Sequence, residues 1–389
     1  MRRLAGLVSA GVLLVAGCKG FWDPPTTGGG GGGGTASGVF YVLNQQTAQI
    51  AGFSFAAGAT LPTAVSGSPY GLAAVPQSLA LSPSGSYVYV GTLAGIYVYG
   101  VGTGGALTLL NNSQAIDSTD LATTMAVDST GSWLLVASSG LGVLTAVPIS
   151  SSTGLLDSTR TVQRANLPVT TVQQIAVTPA SAANSYIFLA LAEGGTSVLP
   201  FNASATGSPF TTVTTYQVKN TGGADNAIAV DPSARLLYVG ETLASAAPQT
   251  GGLRVFTIGA ASTLTEVTGS PYPTVGTGPS AILPTANYVY VANRAVSGSN
   301  NGNITGYPIA TVGTTYSLGA LINTVSAGQL TVGLAIDSSG TYLLAVNAGG
   351  TPDLSAFTFD ATTGGKLVAG PAAATGTDPV RAVAIAAVP

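Results

Sequence analysis

No histidine occurs in the 389 residues, and Cys18 is the single cysteine. Histidine is the commonest general base and metal ligand near neutral pH. Its absence excludes a Ser-His-Asp or Cys-His nucleophile, and with it zinc, copper and haem sites of the usual ligand sets. One cysteine cannot form a disulfide within the chain. Charged residues make up only 6% of the sequence, far below the usual quarter. With no basic cluster to meet phosphates, nucleic acid is not expected as a partner. No clustered Asp pattern suggests a Ca²⁺ loop, so neither a metal nor a cofactor is expected. After residue 17 no apolar run is long enough to span a bilayer, and no stretch of useful length has helical periodicity.

What the chain does have is a phrase repeated seven times. An apolar segment is followed by a polar turn, then by a Tyr- or Leu-rich strand ending in small or amide residues. Tyr87-Val88-Tyr89-Val90-Gly91, Leu236-Leu237-Tyr238-Val239-Gly240 and Tyr288-Val289-Tyr290-Val291-Ala292 are three copies. The preceding apolar segments begin at Leu79, Met125, Ile175, Ile228, Ile282, Leu334 and Val383, at intervals of 46, 50, 53, 54, 52 and 49. That period suits a four-stranded blade, and the repeat predicts an all-β, seven-bladed propeller over residues 38–389. Small residues suit an inner strand crowded around an axis, and aromatics suit the next strand out. The first Tyr-rich strand, Val39 to Leu43, lacks an inner strand before it, and the last inner strand, Val383 to Ala386, lacks a second strand after it. Pairing one with the other closes the ring and removes the open edges. An open solenoid or two stacked sandwiches would leave these complementary ends unexplained.

The N-terminus bears on location. Arg2 and Arg3 precede the apolar run Leu4 to Ala16, the layout of a secretory signal. Val15-Ala16-Gly17-Cys18 resembles the bacterial lipoprotein processing box. That resemblance implies removal of residues 1–17 and lipidation of Cys18, with an ordinary signal peptide as the alternative. Lys19 rather than aspartate after Cys18 favours the outer membrane in a Gram-negative cell. Residues 18–37 hold seven consecutive glycines, Gly28 to Gly34, and read as a flexible tether. The expectation is an exported monomer anchored to the cell envelope through lipid, carrying nine basic and 14 acidic side chains once the signal is removed.

Tyr288-Val289-Tyr290-Val291-Ala292-Asn293 and Ile228-Ala229-Val230-Asp231-Pro232-Ser233 resemble the seven-bladed propellers of the YVTN and lactonase-like superfamily, from Gly38 onward. The enzymatic branch includes 6-phosphogluconolactonases. Membership implies a polar pocket at one end of the central channel. The branch pattern of an Arg-His pair before an inner strand and a Glu ending the next strand is kept only in part. Tyr238-Val239-Gly240-Glu241 matches the glutamate, but Asn226-Ala227 stands where Arg-His is expected.

In this class the loops entering the inner strands and leaving the second strands share one face. Asp120, Arg164, Glu193, Asp225, Glu241, Arg294, Asp378 and Arg381 would ring the mouth there. Glu193, Asp225, Glu241, Arg294 and Arg381 are the candidate ligand-binding residues. Arg294 leads, because a guanidinium grips carboxylates bidentately. The segments Glu241 to Gly252 and Asn293 to Asn303 are expected to be the longest loops at that mouth. Glu241 is the candidate base, with Arg294 or Arg381 as electrophile; the alternative for Glu241 is a solvated carboxylate at a strand end. Asn44, Asn293 and Asn347 are expected to serve turns after strands, and Asp128, Asp231 and Asp337 to hold turns on the opposite face. Two functions follow. The first is a noncatalytic binding module for an envelope protein, peptide or glycan; the second is a lactonase-like hydrolase that works without histidine.

Overall fold

The computed structural model describes residues 38–389 apart from 57–58, 60, 115–121, 139, 183, 206, 220–221, 244–249, 314, 351–352 and 376–380. The signal, Cys18, the tether, Asp120 and Asp378 therefore lie outside the described residues. Among the described residues everything regular is β apart from two short 3-10 turns, Thr103–Gly105 and Ala260–Ser262. Each blade is an antiparallel meander running outward from an inner strand. Blade 1 begins at Pro76–Leu81, blade 2 at Thr124–Val127 and blade 3 at Gln174–Val177. Blade 4 comprises Ala224–Val230, Leu236–Leu243, Thr250–Ile258 and Leu264–Glu266.

Blades 5 and 6 are fused by one long strand, Asn323–Ile336. Its first residues pair with Asn301–Val312 as the outer strand of blade 5, and its later ones pair with Leu343–Gly349 as the inner strand of blade 6. The chain ends close the ring as the sequence implies. Phe40 pairs with Ala387 and Val42 with Ile385, so the C-terminal strand Ala382–Ala387 is the inner strand of blade 7. Gly38–Asn44, Gln49–Phe55 and Thr63–Ala64 complete it.

The core lies between blades. The second strands Gly38–Asn44, Trp133–Ala137 and Tyr186–Ala190 are buried along their whole length. They lack polar alternation because both faces of each sheet are covered. An aromatic at or near the first or third position of the second strand clasps the turn after the third strand of the next blade. Tyr41 Oη donates to the Gly105 carbonyl at 2.6 Å, Tyr89 to Gly154 at 2.8 Å and Tyr290 to Gly365 at 2.8 Å. Trp133 Nε1 donates to Ala203 at 2.9 Å, Tyr342 donates to Ala59, and Tyr186 Oη accepts from Ser262 N–H at 3.3 Å. At Gly365 the turn needs glycine twice over. Its φ is +73°, and a Cβ there would strike the Tyr288 ring. The seam between blades 4 and 5 departs from this pattern. Tyr238 Oη is buried without a partner among the described residues, while the third strand of blade 5 runs on to Val312 and folds back through Thr315–Leu318.

At the end opposite the mouth, the aspartates hold turns as the sequence suggests. Asp128 Oδ1 accepts the N–H groups of Ser132 and Trp133 at 2.8 and 2.7 Å, and Asp231 Oδ1 those of Arg235 and Leu236 at 2.7 Å each. Asp337 Oδ1 accepts Tyr342 N–H at 2.7 Å.

Candidate functional site

The rim that gathers second-strand ends and inner-strand starts is built on one repeated arrangement. Asn44, Thr92, Glu241, Asn293 and Asn347 pair across the ladder with Ala382, Pro76, Asp225, Pro279 and Thr331 respectively. A bulge at this point in each of these ladders turns the chain into the mouth. All five second-strand residues are fully buried. The asparagines are therefore clamps within strands, not turn residues after them. Asn293 Nδ2 donates to the Thr274 carbonyl at 2.8 Å and its Oδ1 accepts from Thr274 Oγ1 at 2.7 Å. Asn44 holds Thr375 in the same way.

Glu241 occupies the clamp position of blade 4. Its carboxylate accepts the Lys219 N–H at 2.8 and 2.9 Å, fixing the loop that enters the inner strand. Arg254 Nη1 meets Glu241 Oε2 at 3.2 Å, donates to the Gln217 carbonyl at 2.9 Å, and lies 4.8 Å above the Phe256 ring. Glu266 Oε1 takes Arg254 Nε at 3.3 Å. The expectation of a solvated strand-end carboxylate is thus corrected. The guanidinium paired with Glu241 is Arg254, rather than the anticipated Arg294 or Arg381. Nor is Glu241 to Gly252 a long loop, because Leu243 pairs with Thr250 and only 244–249 lie outside the description. Strand likewise continues to Ala295 and resumes at Asn301, which shortens the other expected loop.

Asp225 faces Glu241 from the inner strand instead of from a loop, and is also fully buried. Its Oδ2 accepts from Thr196 Oγ1 of blade 3 at 2.7 Å, while Oδ1 has no donor. Burial pushes its pKa up to about 7, helped by the Glu241 charge and opposed by Thr196 and Arg254. A proton on Asp225 lets the carboxyl hydrogen-bond to Glu241, so that the facing acids carry one negative charge between them. Arg254 is not among the residues the repeat pattern points to, although an arginine inside the apolar strand Leu253-Arg254-Val255-Phe256 is a legible sign of a buried counter-ion.

Arg294 and Arg381 form a different group. Arg294 follows Asn293 at the end of its strand in blade 5, with its aliphatic stem over Gly278. Arg381 immediately precedes the inner strand of blade 7, and its carbonyl accepts Gln45 N–H at 3.0 Å. Both are partly exposed. Burial, and next the charge of Arg381, lower the Arg294 pKa. The two guanidiniums thus stand in one another's field. Among the described residues neither has a carboxylate partner.

The backbone adds a second sign. The residues just before Pro279, Thr331 and Ala382 are Gly278, Leu330 and Arg381, with φ of +62°, +53° and +48°. Blade 5 uses glycine for this left-handed position, whereas blade 7 holds an arginine there at a steric cost. Glu193 sits exposed on the turn after Leu191, beside the Ala192–Asp225 bridge that joins blades 3 and 4. Arg164 is not at the mouth; it lies exposed on the outer strand of blade 2. No group of three or more His, Cys, Asp or Glu among the described residues could hold a metal.

A ring of seven blades whose rim carries two guanidiniums without acid partners among the described residues defines a seven-bladed propeller. Residues 68–383 match the family described as lactonase, 7-bladed beta-propeller, and the chain belongs to that family. Among solved structures it is similar to a candidate 6-phosphogluconolactonase of Bacteroides fragilis, with TM-score 0.70 and 17% identity over 94% of this chain and 100% of the other. It is also similar to the periplasmic gluconolactonase of Pseudomonas aeruginosa, with TM-score 0.67 and 14% identity over 91% and 99% of the two chains. At such identities the likeness establishes the fold alone. No curated protein matches the sequence.

Proposed function

We propose that this propeller is a lactonase-type hydrolase that opens a small sugar-acid lactone at its mouth, held on the cell envelope by lipid at Cys18. The observation that carries the reading is the pair Arg294 and Arg381, two partly exposed guanidiniums in one field with no carboxylate partner among the described residues. Opening a lactone places negative charge on the carbonyl oxygen as water adds to the carbonyl carbon. Fixed cations aimed at that oxygen lower the barrier most in a partly desolvated site. The ring C–O bond then breaks, the departing alkoxide takes up a proton, and the product is a hydroxy acid. Glu193 is the exposed carboxylate of this rim among the described residues and is assigned to accept the proton of the attacking water. Glu241 is not given this task, because its oxygens are already engaged by Lys219 N–H and Arg254. The names of the solved neighbours make gluconolactone, with and without phosphate, the first substrates to try.

The sealing of Glu241 favours a second reading, in which the same mouth binds sugar acids without turning them over. Calorimetry with gluconate and turnover of gluconolactone separate the two. Binding that depends on Arg294, without acceleration of hydrolysis, supports the binding module. Failure of both removes the mouth as a sugar-acid site.

A further inference from the structure

A cavity of about 350 Å³ opens along the seam between blades 5 and 6, outward from the mouth. That is near the lower end of the range of small-molecule sites. None of its lining residues is charged. Asn301 and Gln329 are cross-strand partners, so their exposed side-chain amides share one face of the sheet. Neither amide has a hydrogen-bond partner among the described residues. Ser326 adds an exposed hydroxyl whose one hydrogen bond among the described residues, at 3.4 Å, is to the Ala327 carbonyl. Ser355 accepts from Asn347 Nδ2 at 3.2 Å and keeps its own O–H to donate. Phe357 is the one aromatic residue of the lining, and beyond these polar residues the rest is glycine and alanine. The register slips between Ser355 and Phe357 in their pairing with the outer strand Leu367–Ala373, which sets this stretch of blade 6 apart from an even ladder.

We propose that this seam binds one residue of a neutral carbohydrate. Two amides and two hydroxyls supply donors and acceptors in the mixture that vicinal sugar hydroxyls need. The lack of charge disfavours phosphates, carboxylates and cations, and the glycine and alanine of the lining suit the C–H face of a pyranose ring. The site shares no residue with Arg294, Arg381 or Glu193, so it stands or falls independently of the mouth chemistry. Such a site would hold the protein against an uncharged glycan.

The test is saturation-transfer NMR on the full mature chain with maltose, cellobiose and N,N′-diacetylchitobiose as probes. The expected result is saturable binding of at least one, with Kd on the order of 1 mM. Binding should fall at least about 10-fold in an Asn301→Ala/Gln329→Ala double variant, a loss of about 1.4 kcal/mol. It should also be lost in Ala372→Trp, which fills the cavity from an exposed position, and be unchanged in Arg294→Ala. Circular dichroism checks that the variants fold, and Ala372→Trp keeps the question open if the double variant does not. No saturable binding of any of the three sugars overturns the proposal. So does binding that survives Ala372→Trp, or capture of extended peptides in place of sugars.

Discussion

Asp225 and Glu241 face each other across the first two strands of blade 4, both shut off from solvent, with Arg254 as their shared counter-ion. The pair makes blade 4 the only one of the five clamp-bearing ladders in which acid faces acid.

Stability should therefore depend on pH through Asp225. Its pKa is near 7 in the folded chain against an ordinary 3.8. The folded state holds a proton that the unfolded state has released, so this contribution is complete below the ordinary value and is lost as pH rises through about 7. Thermal melting should show the wild type losing stability from pH 5 to pH 8 relative to Asp225→Asn. Parallel profiles of the two proteins would contradict a proton held on Asp225 in the folded chain.

Arg254→Met should destabilise strongly, by roughly 3–5 kcal/mol, because it leaves buried carboxylate charge without its counter-ion. Glu241→Gln should cost less, about 1–2 kcal/mol, since an amide oxygen can still accept the Lys219 N–H, much as the amide oxygens of Asn293 and Asn44 accept threonine hydroxyls in their own blades. Urea unfolding of both variants measures the order. Equal losses would mean that Arg254 acts through packing alone.

The aromatic clasps give a paired comparison. Tyr290→Phe removes the donor to Gly365 and should cost about 1–3 kcal/mol by stranding a buried carbonyl. Tyr238→Phe removes a hydroxyl with no partner among the described residues and should be neutral or stabilising. Similar losses in the two melts would show that the clasp is incidental.

Much of this architecture was legible in advance because it is dictated by repetition. The spacing of Leu79, Met125, Ile175 and their successors revealed the blades, and the unmatched Val39 and Val383 strands revealed the closure. The rim was less legible. A sequence shows that Glu241 ends a strand, but not that this position is a buried clamp filled elsewhere by asparagine. Likewise Arg164 precedes an inner strand in sequence yet belongs to an outer strand, because the intervening turn places it there. Partners set by long-range packing, such as Lys219 N–H against Glu241, leave no local pattern to read.

Arg381 sets stability against function. Arg381→Gly should relieve its left-handed backbone and stabilise by about 1 kcal/mol, while weakening gluconate binding measured by calorimetry. A variant that is less stable, or that binds as well as wild type, would contradict a functional reason for arginine at this position.

The most direct measurement is hydrolysis of glucono-δ-lactone, followed by pH-stat, in wild type, Arg294→Ala and Arg381→Ala. The account predicts opening faster than in buffer alone, with kcat/KM reduced by roughly 100-fold in each variant and the folds intact. Wild-type rates equal to buffer, or variants as active as wild type, would contradict the claim that these two guanidiniums form the working site.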